Sequence, residues 1–202
     1  TGASIEEIAI VRGYLAETFG FDLTYFENKR WSETNMVMSL NSSREWLESD
    51  TCVTSYSDIV YSSDAVKRLI DADGDIVITY DPNWKDLWFM RFEDPLLDAE
   101  TFRLEGDQVV EIGNRASSIE EIEGQYMGLV KYTPQGWAQV AEYLNNFSQD
   151  ELDKLDMTTL LQGIIDSGVV VNTVPIQDKW FEVDSETDLR SYESNFKTSP
   201  IR

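Results

Sequence analysis

The stretch Thr51–Tyr80, TCVTSYSDIVYSSDAVKRLIDADGDIVITY, decides the fold. It opens on a short β-rich run, Thr51–Ser55, and closes on Asp75–Tyr80, whose Ile-Val-Ile centre is the pattern of a strand buried on both faces. Asp64–Ile70 between them reads as a helix. Strands alternating with helices in this way predict an α/β domain, with a mixed, mainly parallel Rossmann-like sheet flanked by helices.

The same alternation continues outward. On the N-terminal side Glu6–Val11 reads as a buried strand, Leu15–Phe19 as a short helix and Leu23–Phe26 as a second strand. Glu33–Trp46 reads as one helix, capped by Ser32 or Thr34, with Met36, Val37 and Leu40 on one face. On the C-terminal side Phe102–Leu104, the turn Glu105-Gly106-Asp107 and Val109–Ile112 predict a β-hairpin excursion, and Gly124–Lys131 returns to the sheet. Gly136–Phe147 and Thr158–Ser167 read as helices, Val169–Pro175 and Trp180–Val183 as strands, and Glu186–Glu193 as a closing helix. No repeat or linker interrupts the chain, so residues 1–202 are expected to form a single domain. The first element, Thr1–Glu6, reads as the tail of a helix, and no opening strand with a Gly-rich loop precedes it.

Composition narrows the chemistry. A formal net charge of −22 argues against a nucleic-acid partner, and no basic cluster exceeds Lys29-Arg30 or Lys67-Arg68. The absence of histidine removes Ser-His-Asp, Cys-His and His-ligated zinc chemistry. Cys52 is the single cysteine, which fits a reducing cytoplasm, and no apolar run approaches the roughly 20 residues of a membrane span. An enzyme built from this chain must work with carboxylates, hydroxyls, Lys, Arg and a hard metal.

Asp58 follows the end of a strand, where open α/β sheets place their ligands, and a carboxylate there suits Mg²⁺. The same position also suits a turn or helix-cap aspartate. Asp184 ends another strand, and either it or Ser185 reads equally as a helix cap. Tyr80-Asp81-Pro82-Asn83-Trp84, with Trp88, Asp98 and Glu100, sets aromatic rings beside carboxylates, which suits an ammonium ligand; core packing of the tryptophans is the alternative. In Asn28–Asn35, Thr34 and Asn35 are placed to read a base and Arg30 to meet phosphate, unless the cluster serves only to cap a helix.

In order, these segments resemble the nucleoside-triphosphate transferase family, and within it the cytidylyltransferases for phosphonates and for phosphocholine. Ile5–Glu17 is similar to the family's second strand and its Gly-Tyr-x-x-Glu turn, and Glu27–Leu40 to its Asn…Thr-Asn…Ser-Leu segment. Ser55–Tyr61 resembles the Ser-Asp-x-Val-Phe motif, and Trp180–Leu189 the Trp-x-Glu-Val-Asp-x-x-x-Asp-Leu close. Ala99–Phe102, Glu111–Asn114 and above all Glu121–Thr133 look like the phosphonate-associated branch. The resemblance implies a GT-A-like nucleotidyltransferase fold and transfer of CMP from CTP to a small phosphonate such as 2-aminoethylphosphonate. It implies Mg²⁺ on Asp58 and Asp184, nucleotide contacts from Thr34, Asn35 and Ser57, and acceptor contacts from Tyr80, Asp81, Trp84, Glu100 and Tyr126. It also implies a fused or neighbouring phosphoenolpyruvate mutase domain and leaves a homo-oligomer open. The family's first strand and its Gly-rich loop with Arg and Lys have no counterpart in this sequence, and Gln125 stands where many members have Glu. A sugar-phosphate nucleotidyltransferase and a non-catalytic binding domain are the rival expectations.

Overall fold

The computed structural model describes residues 5–196. Ile5–Ile8 form no regular element, and the rest of the expected helix tail, Thr1–Ser4, lies outside the described residues. The chain then runs β1 (Ala9–Arg12), β2 (Thr24–Glu27), α1 (Met36–Asn41), α2 (Arg44–Ser49), β3 (Cys52–Ser55), β4 (Ile59–Val60), α3 (Ser63–Asp71) and β5 (Ile76–Asp81). It continues with α4 (Lys85–Arg91), β6 (Glu100–Glu105), β7 (Gln108–Arg115), β8 (Gln125–Tyr132), α5 (Pro134–Leu144), α6 (Gln149–Leu152), α7 (Met157–Asp166), β9 (Asn172–Pro175), β10 (Phe181–Glu182) and α8 (Glu186–Phe196).

A six-stranded sheet in the order β3-β8-β5-β9-β7-β6 forms the centre. Its middle strand, β5, is the Ile-Val-Ile segment, and alternation along it feeds two cores. Ile76 and Ile78 join Trp137, Leu160 and Ile164 of α5 and α7, whereas Val77 joins Leu69 of α3 and Trp84 and Trp88 beside and within α4. Helices therefore cover both faces, as the alternating pattern predicts. Pairing is mixed, with β5·β9 and β1·β2 parallel. It is more antiparallel than the alternation of strands and helices suggests, because β8 returns from the β6–β7 hairpin and runs against both β3 and β5.

One expected element is divided. The helix predicted over Glu33–Trp46 splits into α1 and α2, because Ser42 and Ser43 turn their hydroxyls back onto the carbonyls of Met38 (2.9 Å) and Leu40 (2.8 Å). Such back-bonding competes with the helical ladder. The cap of α1 is neither Ser32 nor Thr34 but Asn35, whose side chain accepts from the Met36 N–H at 2.8 Å.

Helix α5 is seated by a contact between backbones. Thr133 caps it, accepting from Gly136 N–H at 3.1 Å and donating to Asp75 Oδ1 at 2.7 Å. Gly136 lies so close to β5 that a Cβ there would sit 2.2 Å from the Asp75 carbonyl oxygen. Alanine should gain about 1 kcal/mol in helix propensity. A backbone oxygen cannot step aside, however, and overpacking costs about 1–3 kcal/mol. Gly136→Ala is therefore expected to lower unfolding free energy by roughly 2 kcal/mol at unchanged m-value, read by urea titration.

Candidate functional site

Strands β4 and β10 form a two-stranded antiparallel ladder, Ile59↔Glu182 and Val60↔Phe181. Their ends continue it, since Val183 N–H donates to the Asp58 carbonyl at 2.8 Å. The ladder brings Asp58 and Asp184 to one place from distant parts of the chain. Neither aspartate is itself a helix cap: Asp58 lies in the bend between β3 and β4, as its turn alternative has it, and at α8 the Ser185 half of the alternative holds. Ser62 caps α3, accepting from Ala65 N–H at 3.3 Å. At α8 the cap is Ser185, which exchanges hydrogen bonds with Asp188 (Asp188 N–H to Ser185 Oγ 3.2 Å; Ser185 N–H to Asp188 Oδ2 2.9 Å). Asp58 is exposed, with no hydrogen bond or ion pair to its carboxylate among the described residues, and Asp184 pairs with Arg91.

Arg91, the last residue of α4, serves three carboxylates: Nη1 lies 2.6 Å from Glu182, Nε 3.3 Å from Asp188, and Nη2 against Asp184. Its side chain is 2% exposed. Burial works against the charge, but Glu182, Tyr192 and Asp184 together outweigh it and the guanidinium is held above its ordinary pKa. Glu182 itself is pushed up by burial, with Arg91 opposing and Asp184 and Asp58 adding to the push. The cluster is short of positive charge, with one guanidinium facing three carboxylates and Asp58 close enough to act on Glu182. Hard oxygen donors with surplus negative charge fit Mg²⁺, which takes one or two protein carboxylates and fills the rest of its shell with water and phosphate oxygens. Among the described residues no group of three or more acidic side chains forms a ready cage for a metal ion.

The second group lies around Tyr56. Its backbone N–H donates to Gly128 O at 3.0 Å, and its ring rests on that glycine, where a Cβ would meet ring carbons at 2.7 Å. Tyr126 stands edge-on to it, ring centroids 5.8 Å apart. Burial pushes the Tyr56 phenol well up, and Glu100, Asp156 and Asp58 add to this. Tyr56 therefore stays protonated, and its phenol feels carboxylates of both groups. Thr158 Oγ1 lies 3.4 Å from both Glu100 Oε1 and Asp156 Oδ1, and Asp156 caps α7. Glu100 is raised by burial, with Asp156 and Asp98 contributing, and makes no ion pair among the described residues.

The other expected site residues divide. Tyr80 is half-buried and stacks on Phe102, while Tyr126 buries its hydroxyl near Tyr56. Trp84 is a core residue instead: it is 1% exposed, packs edge-on to Trp88 and donates its indole N–H to Ile122 O at 3.3 Å. Asp81 is buried and spent, accepting from Asn83 N–H (2.7 Å) and Trp180 Nε1–H (2.9 Å). The tryptophans follow the core alternative because α4 carries them inward. Thr34 donates to Arg30 O and accepts from Asn28 Nδ2, Asn35 caps α1 and contacts Lys154 O, and Arg30 grips Asp153. Ser57 is exposed beside Asp58. Sequence reasoning passes over Arg91, Tyr56 and Asp156. The Ser-Tyr-Ser-Asp run and the Asp156-Met-Thr helix start were the available signals for the last two, and nothing local marks Arg91.

No protein-family model matches the chain. A CTP:phosphoglutamine cytidylyltransferase from Campylobacter jejuni subsp. jejuni serotype O:2 is 33% identical over 204 residues, covering 93% of this chain and 81% of that protein. The inositol-1-phosphate CTP transferase of T. maritima superposes with a TM-score of 0.69 at 22% identity, covering 92% of this chain and 73% of that one. A Bacillus anthracis protein assigned as a glucose-1-phosphate thymidylyltransferase gives 0.68 at 13% identity, covering 92% and 74%. These two likenesses establish the nucleotidyltransferase fold.

Burial of Glu100 has a consequence for stability. A carboxylate raised in the folded state binds more protons there than when unfolded, so it favours folding below its ordinary pKa and disfavours it as pH rises through the folded value. Glu100→Gln is thus expected to be more stable than wild type at pH 7 to 8, with the difference closing near and below about pH 4, the ordinary glutamate range. Thermal melts across that pH series read the sign directly.

Proposed function

Since the chain belongs to the cytidylyltransferases, a family of nucleotidyltransferases, we propose that it transfers CMP from CTP to a small acceptor bearing a phosphonate or phosphate, with 2-aminoethylphosphonate as the preferred acceptor. The single observation that carries this reading is the β4·β10 ladder, which joins Asp58 and Asp184 at one surplus-charged edge. An acceptor oxygen attacks the α-phosphorus, the α–β phosphoanhydride bond breaks, and pyrophosphate leaves with the bonding electrons. The attacking oxygen is already anionic near neutral pH, so a chain without histidine lacks nothing for this chemistry. Mg²⁺ held by Asp58 and Asp184 would neutralise charge developing on the phosphates.

On the acceptor side, Glu100 supplies a half-buried carboxylate for an ammonium group, with Tyr80 and Tyr126 beside it. Asp81 and Trp84 are taken up elsewhere, Asp81 in the turn to Asn83 and Trp84 in the core, and are not assigned to the acceptor. Thr34, Asn35 and Ser57 are proposed for the nucleoside, the first two through whatever hydrogen-bonding capacity their local bonds leave. The triphosphate falls to a Gly-rich loop with Arg and Lys that the resemblance puts ahead of β1. What supports an added strand is the parallel pair β1·β2, in which no residue is fully buried, although parallel strands are ordinarily covered on both faces. A phosphoenolpyruvate mutase domain, fused or neighbouring, would supply the phosphonate. We propose a cytoplasmic setting; no described helix is long and apolar enough to cross a membrane.

A second acceptor deserves equal testing, because the Campylobacter relative is named for phosphoglutamine. Phosphorylated amino acids present an ammonium group as aminoethylphosphonate does. Pyrophosphate release is to be measured with CTP, UTP and GTP against aminoethylphosphonate, phosphoglutamine, phosphocholine, inositol 1-phosphate and hexose 1-phosphates, in this chain and in one carrying its upstream sequence. CTP with an ammonium-bearing acceptor is the expected best pair; a preference for hexose 1-phosphate would overturn the acceptor reading. Asp58→Asn and Asp184→Asn should each cost at least about a hundredfold in kcat/KM, the scale of losing a few kcal/mol of charge stabilisation.

A further inference from the structure

We propose that Arg91 is a positioning residue for Asp184: its buried fork holds one carboxylate oxygen of Asp184 and leaves the other for the metal. The inference rests on the reading of Asp58 and Asp184 as metal ligands. Arg91 is clamped on three sides, by Glu182 and Asp188 through Nη1 and Nε and by the rings of Phe92 and Trp88 at 5.1 and 5.8 Å from its central carbon. Asp184, by contrast, is half exposed and has no contact with Arg91 beyond Oδ2. The buried partner therefore dictates where the half-exposed one points.

The neighbouring carboxylates have separate duties. Asp188 is committed twice, to Arg91 and to the Ser185 cap, so the guanidinium is tied to the start of α8. Glu182 belongs to the ladder that sets Asp58 opposite. Arg91 thus ties the end of α4 to β10, to Asp184 and to the start of α8. Lysine would conserve the charge and lose the geometry, because an ammonium offers no planar fork to three separate carboxylates. That separation of charge from shape makes the role testable.

Mn²⁺ binding to the nucleotide-free protein, followed by electron paramagnetic resonance at about 0.15 M salt to screen the acidic surface, compares wild type, Asp58→Asn and Arg91→Lys. Arg91→Lys is expected to weaken binding about tenfold, the scale of losing a partner that orients a ligand. Wild-type affinity in Arg91→Lys overturns the role of Arg91 alone. A wild type that binds no Mn²⁺, or an Asp58→Asn variant that binds as tightly, overturns the metal reading and this inference with it. Should Arg91→Lys fail to fold, wild-type protein decides: the ¹⁵N resonance of Arg91 Nε is expected to shift on Mg²⁺ titration and to stay still in Asp58→Asn. An unmoved resonance in wild type overturns the role.

Discussion

Everything proposed for this chain depends on a two-residue ladder. Strand β4 offers Ile59 and Val60, β10 offers Phe181 and Glu182, and a single extra hydrogen bond to the Asp58 carbonyl completes the register. Two residues per strand are too few to stand alone. Their hold comes from Ile59 and Phe181, both buried in the core that also takes Trp84, Trp88 and Trp180. The tryptophans are therefore not spectators to the chemistry. They form the floor on which two aspartates from remote parts of the chain are brought to one edge.

The sequence was most informative where a pattern is local. The two-sided burial of β5 follows from its Ile-Val-Ile centre, and the β6–β7 hairpin from Glu105-Gly106-Asp107, whose glycine takes the positive φ such a turn requires. The caps of α3 and α7, Ser62 and Asp156, rest on equally local chemistry but were not read from the sequence. Legibility fails where partners lie far apart in the chain. Arg91 is an ordinary helix-end arginine until Glu182, Asp184 and Asp188 surround it. The helix that carries it, α4, is itself a product of packing, since Leu87 and Trp88 are driven inward against α3 and the sheet. The division of the Glu33–Trp46 helix turned on two serine hydroxyls, each free in principle to point at water instead.

Two acidic groups with different environments emerge, and Tyr56 stands between them. One is held by a buried guanidinium and keeps a carboxylate open to solvent at Asp58. The other, at Glu100 and Asp156, makes no ion pair among the described residues, and Thr158 Oγ1 is the hydroxyl that reaches both carboxylates. The proposed transfer to an ammonium-bearing acceptor would use this contrast, with counter-charge from a metal on one side and a carboxylate for the ammonium on the other. The two groups are carried by different sheets, the first by the β4·β10 ladder and the second by β6 of the central sheet with the start of α7.

The strand pair β1·β2 leaves Tyr14 66% and Phe21 67% exposed, with Trp31 packed edge-on to Tyr14 on the outside of the protein. Uncovered aromatics beside an unpaired strand edge are an invitation to self-association. A net charge of −22 opposes it by mutual repulsion between copies. The colloidal behaviour of the chain is accordingly sensitive to ionic strength: dilute buffer keeps molecules apart, and concentrated salt screens the repulsion between one copy's exposed aromatics and the next.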